Sequence, residues 1–123
     1  MRSAFDYYIG ASDKELAKRE LLRHSDAYNF RDIIVPKGEK LLFSDFAGIL
    51  SNLPRATIIS IGDNLLEWFQ DLSWPGVNII ETTLKQLPIE KLHRIIKKGL
   101  TCAMQENDAE WINNLHEIFD DIL

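Results

Sequence analysis

Three histidines, one cysteine and one pair of carboxylates are the side chains here best suited to chemistry. His24, His93 and His116 do not pair at i+3 or i+4, and no H-E-x-x-H occurs. A helical zinc site therefore has no ligand spacing to rest on. His93 follows Leu92 and His116 follows Leu115, which puts both near the edge of a core. Cys102 sits in a predicted helix between Leu100 and Ala103. With no assignable partner histidine, it reads as a small buried hydrophobe. Glu67 and Asp71 stand four apart on one predicted helix face, a spacing at which two carboxylates can act as acid and base or hold a cation. Such pairs ordinarily form a solvated face. A solvated face is expected here, with Asp71 capping the next helix. Gly38-Glu39-Lys40 lacks the phosphate-loop pattern, and neither a G-x-S-x-G elbow nor a Gly-rich dinucleotide turn is present. The expectation is a protein that is not an enzyme and needs no metal or organic cofactor.

Charge is distributed more tellingly than the reactive groups. Residues 85–98 hold five basic side chains and one acid. Residues 105–123 hold six acids, Glu106, Asp108, Glu110, Glu117, Asp120 and Asp121, and no Lys or Arg. If these segments form antiparallel helices, Asp120 and Asp121 approach Lys91 and Arg94 and the charges pair as exposed bridges, each worth about 0–1 kcal/mol. The functional alternative is that the acids stay free and capture a basic partner, a field that raises association rate and specificity more than affinity.

The chain must be able to carry such a surface. It has 123 residues, which predicts one domain, and a third of them are Leu, Ile, Val or Phe. A chain of this size and composition buries about two-thirds of its unfolded surface, which argues against disorder. No apolar run reaches the length of a membrane span, and Asp6 follows close behind Arg2 where a signal peptide needs an apolar stretch. A single cysteine excludes an internal disulfide. The net charge of −5 is a poor footprint for nucleic acid. Together these features predict a cytoplasmic protein that binds neither nucleic acid nor membrane.

The positioning elements are predicted to be helices. Leu and Ile are abundant, against two Val and four Thr, and periodicity decides the remaining ambiguity. Trp111, Ile112, Leu115, Ile118, Phe119 and Ile122 mark one face of a helix over residues 108–121, with Asn107 and Glu110 as a start signal of the capping-box type. Pro88 opens a helix carrying Ile89, Leu92, Ile95, Ile96, Leu100 and Ala103, with Lys91, Arg94, Lys97 and Lys98 on its other side. Gly99 inside it marks close packing. Further helices are predicted from Pro75 to Lys85, facing inward through Val77, Ile80 and Leu84, and over residues 63–72, with Asp63 as N-cap and Leu65, Leu66, Trp68, Phe69 and Leu72 inward. Upstream lie a short helix at 54–60, one at 44–51 with Phe46, Ile49 and Leu50, and one at 13–24. The last starts at a Ser12–Glu15 capping box and buries Leu16, Ala17 and Leu21. Residues 31–40 have no helical period and read as an extended connector ending in a turn at Pro36–Gly38.

Residues 65–75 read Leu-Leu-Glu-Trp-Phe-Gln-Asp-Leu-Ser-Trp-Pro. This resembles the L-L-E-W-x-Q-D-x-N-W-P signature of a small bacterial family of uncharacterised, helical, HEAT-like domains. Ile34-Val35-Pro36-Lys37 is similar to that family's hydrophobic-Pro-Lys opening segment, and Asn107-Asp108-Ala109-Glu110-Trp111 to its acidic-then-Trp helix start. The resemblance spans residues 33–119 and departs at Ser73 and Gly76, where Asn and Val are usual. Read from its residues, the signature is structural. Trp68 faces the core, and Pro75 forces Trp74 out of helix, so a buried Trp74 locks the corner.

The resemblance implies an all-α, single-domain, HEAT-like stack of antiparallel helical hairpins. Residues 33–123 form that body and residues 1–32 are an added helical segment packed on it. The functional hint it carries is that similar small acidic helical proteins occur among immunity proteins of bacterial toxin systems. The expected role is stoichiometric binding of another protein, a basic toxin domain in its concrete form, through Glu106, Asp108, Glu110, Glu117, Asp120 and Asp121. The alternative is a structural or regulatory interaction module without a toxin partner.

Overall fold

A computed structural model describes residues 1–34 and 39–123. The predicted turn at Pro36–Gly38 and most of the hydrophobic-Pro-Lys segment fall outside the described residues. Among the described residues there are seven α-helices: α1 (Ala4–Gly10), α2 (Lys14–Arg23), α3 (Phe43–Ser51), α4 (Arg55–Leu65), α5 (Val77–Lys85), α6 (Ile89–Gln105) and α7 (Ala109–Phe119). Two-residue strands β1 (Arg2–Ser3) and β2 (Tyr28–Asn29) pair in parallel, Arg2 opposite Tyr28. The all-α class therefore holds. No helix is long and apolar enough to cross a membrane among the described residues.

The largest difference from the sequence reading lies at residues 54–72. Two helices separated near Ser60 were expected, with Asp63 capping the second. A single helix, α4, runs through this point and tightens into a 3-10 helix, Leu66–Gln70. Gly62 lies within α4. A Cβ there would stand 2.5 Å from Ile95 Cδ1, so the glycine lets α4 approach α6. Gly99 does the same from the other side, because its Cβ would overlap Leu66 Cδ1. The contacts Gly62–Ile95 and Leu66–Gly99 both advance by four residues along each helix. α4 with its 3-10 continuation therefore runs beside α6 in the same direction. Likewise α3 packs on α5, and the consecutive helices α1 and α2, and α6 and α7, pack on each other.

Helix ends also shift for identifiable reasons. α2 is capped by Asp13, which accepts from Leu16 N–H at 3.1 Å, rather than by Ser12. Leu16 is exposed while Ala17 and Leu21 are buried. Asn107 does not cap α7. It takes φ +54°, and its N–H donates to Met104 C=O while Asp108 N–H donates to Ala103 C=O. That is a Schellman close for α6, and Asp108 then caps α7 by accepting from Trp111 N–H at 3.0 Å. α5 starts at Val77 rather than Pro75, because Gly76 holds φ +95° immediately before it. The expected extended connector includes two short 3-10 turns, Arg31–Ile33 and Lys40–Leu42.

Residues 1–30 add the helix and strand pair that periodicity does not reveal. α1 is only seven residues and is held by tertiary partners. The Ser3 hydroxyl accepts from Asp6 N–H and donates to Asp32, while Lys14 Nζ donates to the terminal carbonyls of Tyr8, Ile9 and Ala11 at 2.7–3.1 Å. The Arg2 guanidinium sits against both the Tyr7 and Tyr28 rings, 5.3 and 5.5 Å from their centroids, which are themselves 5.2 Å apart. Tyr8 is fully buried, packs edge-on against Phe46 of α3 and donates its hydroxyl to Asp45 at 2.6 Å. Burial, then that hydrogen bond, pushes the phenol well above its ordinary range.

Candidate functional site

The acids singled out in the sequence come together along the outer side of α7 and its two ends. Glu106, Glu110, Glu117, Asp120 and Asp121 are exposed, and Asp108 is half-buried as the helix cap. The apolar side of α7 is fully used: Trp111, Leu115 and Phe119 are buried. Trp111 Nε1 donates to Leu66 C=O at 2.9 Å, and the Phe119 ring meets Phe69 edge-on at 5.3 Å. Asn114 donates to Phe69 C=O at 2.8 Å. These contacts with the 3-10 segment fix the rotation of α7 and hence where its carboxylates point.

The expected pairing of Asp120 and Asp121 with Lys91 and Arg94 does not occur. Among the described residues the ion pairs join Lys18 to Glu15 and Asp45, His24 to Glu20, and Lys85 to Glu81. None involves the six C-terminal acids or Lys91, Arg94, Lys97 and Lys98. The reason is helical phase. Lys91 and Lys98 share the flank of Ile95, which turns toward α4, whereas Glu110, Glu117 and Asp121 share the flank of Asn114, which turns toward the 3-10 segment.

The Glu67–Asp71 pair separates into two unlike groups. Glu67 is half-buried. Burial first, then the charges of Glu106 and Asp63, raises its carboxyl above the ordinary value of 4.5. The acidic surface thus extends past α7 to the end of α4, a neighbourhood created by the long-range meeting of three segments. Asp71 titrates below its ordinary value because Ser73 donates both its hydroxyl, at 2.6 Å, and its backbone N–H, at 2.9 Å. It closes a local turn at Ser73 rather than capping α5.

A raised carboxyl binds its proton more tightly when folded. Stability is therefore gained as pH falls through the raised value, and the gain is complete below the ordinary one. Glu67→Gln should raise the melting temperature at pH 7, with the advantage shrinking as the pH approaches about 4. Melting scans across this interval check it. A lowered melting temperature, or a gain that does not change with pH, would show that the carboxylate is not strained.

Cys102 is exposed, not buried: it shares the side of Ile95 but lies in the last turn of α6, past the Gly62–Ile95 and Leu66–Gly99 contacts. His24 and His116 are exposed and His93 is half-buried. Among the described residues no three His, Cys, Asp or Glu side chains gather as metal ligands. Trp68 is fully buried and Trp74 only partly so. Both pack edge-on against Phe43, at 6.5 and 6.2 Å.

Neither a curated protein nor a solved structure matches the chain. The model of a domain of unknown function, DUF5071, matches residues 44–123. That stretch runs from α3 to the C-terminal end, includes the acidic surface and leaves out β1, α1, α2 and β2. Because the match takes in well over half of the sequence, the chain belongs to the DUF5071 family.

Proposed function

We propose that this chain is a non-catalytic, cytoplasmic binding protein, and in its concrete form an immunity protein that neutralises a bacterial toxin by direct stoichiometric contact. The observation that carries the reading is the free acidic surface of α7. Exposed carboxylates with no Lys or Arg within 4 Å among the described residues keep their field available to a basic surface. A HEAT-like stack is the finer architecture we propose. The packing of α3 on α5 and of α4 on α6 supports it, since stacked helical hairpins meet through alternate helices.

The test is charge reversal. Glu110→Lys, Glu117→Lys and Asp121→Lys together should leave the far-UV spectrum unchanged, because exposed substitutions seldom move stability by more than ~0.5 kcal/mol each. The same variant should bind the partner several-fold more slowly and lose protection against the toxin. Wild-type association should slow with added salt, since charges are screened beyond about 8 Å at physiological ionic strength. A partner recovered from the native host by pull-down and identified by mass spectrometry supplies the ligand. Unchanged binding by the reversed protein would discard this face. A pull-down that returns a non-toxin protein on the same face would replace immunity with a regulatory interaction module.

A further inference from the structure

The C-terminal hairpin carries two unpaired helix faces of opposite sign. On α6, Lys91, Arg94 and Lys98 follow at steps of three and four. On α7, Glu110 and Glu117 stand seven residues apart, as do Lys91 and Lys98, and Asp121, just past the helix end, continues the row. Seven residues are about 10 Å of helix, so charges on the two faces recur at the same interval and can meet in register. Within one chain they do not meet, because Lys91 and Lys98 lie beside Ile95 on the flank turned to α4, whereas the acidic row lies on the flank turned to the 3-10 segment. Among the described residues no opposite charge comes within 4 Å of any of the six.

We propose that the basic row of α6 docks on the acidic row of α7 of a second copy of this chain. Charge complementarity at matched spacing selects that occupant. The two rows are different surfaces, so the contact is head-to-tail and each assembly keeps one free row of each sign at its ends. Exposed ion pairs are individually weak, so the association is concentration-dependent and salt-sensitive. The inference rests on the acidic face assigned above to a basic partner, and it makes self-association and partner binding compete for that face.

Sedimentation velocity on the full chain tests it. From micromolar to millimolar protein at low salt, the average sedimentation coefficient should rise, and at about 1 M salt, where the screening length is about 3 Å, it should return to the monomer value. Two variant sets should each stay monomeric throughout: Lys91→Glu with Arg94→Glu and Lys98→Glu, and Glu110→Lys with Glu117→Lys and Asp121→Lys. Mixed in equal amounts they should associate, because each then offers what the other lacks. Reversing Arg19 and Arg23, exposed on α2, changes net charge without touching either row and should leave association intact. A wild-type chain that stays monomeric at low salt overturns the proposal. So does association that persists in either variant set, or a mixture that remains monomeric. If a set fails to fold, the single reversals Arg94→Glu and Glu117→Lys make the same comparison. Partner binding is measured on dilute, monomeric protein, so its failure and the failure of self-association are read separately.

Discussion

Replacing Trp68 with Ala should lower stability by about 3–5 kcal/mol, the usual loss for a fully buried aromatic, while replacing it with Phe should cost far less. The ring is completely inaccessible, leans edge-on against Phe43 and approaches Gly76 closely enough that a Cβ there would stand 3.3 Å from Cζ3. Removing it leaves a cavity between α3 and the start of α5. The indole N–H, however, has no hydrogen-bond partner among the described residues. A buried donor left unsatisfied costs about 1–3 kcal/mol, and Phe removes that donor while keeping most of the apolar ring. Trp111 is the opposite case, because its Nε1 donates to Leu66 C=O. Trp111→Phe forfeits a made bond and leaves a buried carbonyl one partner short. Urea denaturation of the three variants should therefore rank them Trp68→Ala worst, Trp111→Phe next and Trp68→Phe mildest. If Trp68→Phe proves as damaging as Trp68→Ala, the indole nitrogen is satisfied after all and ring volume alone is not what the site requires.

The residues that made the fold legible are those whose local and tertiary demands agree. Along α6 and α7, apolar spacing, Pro88 before the first turn and the acidic start of α7 all point the same way. The buried set Leu92, Ile95, Ile96, Trp111, Leu115 and Phe119 follows from period alone. Where the two demands part, the sequence misleads. Residues 60–63 read as a gap between two helices with Asp63 as a cap, yet α4 runs through them, and the close approach of Ile95 requires the glycine at 62. Asn107 looks like an N-cap, but its left-handed backbone closes the preceding helix. Leu16 has helical spacing for burial, and α2 turns it to solvent. α1 has too few residues to show a period, and its ends are stabilised by Asp32 and Lys14, which a local window cannot weigh. For the candidate site, the acids themselves were legible from composition. Their failure to pair with α6 was not, because it depends on the rotation of each helix about its axis. Glu67 was singled out but read as part of a solvated face, for a related reason: its burial and its crowding by Glu106 come from residues far away in sequence.

Gly76 is the position where that distinction has the largest remaining consequence. Its φ of +95° is a conformation L side chains rarely adopt. A Cβ would meet Ala47 Cβ at 2.7 Å and the Phe43 carbonyl oxygen at 3.2 Å. One contact is backbone and the other a stub with no rotamer, so neither neighbour can swing aside. A left-handed backbone costs a non-glycine residue about 1–2 kcal/mol, and forced overpacking adds about 1–3 kcal/mol. Gly76→Ala should thus destabilise by roughly 2–5 kcal/mol on these two effects. Gly48 supplies the control. It lies inside α3, and nothing within 4 Å would meet its Cβ. There the substitution removes only the backbone freedom of the unfolded chain, so Gly48→Ala should stabilise by about 0.5–1 kcal/mol. Chemical denaturation of the two variants beside the parent should show midpoints moving in opposite directions. If Gly76→Ala is neutral, the corner between Trp74 and α5 relaxes into an ordinary right-handed turn, and Trp68 is not held by the close approach of the chain at Gly76. If Gly48→Ala also destabilises, α3 is less open along that side than its free space implies.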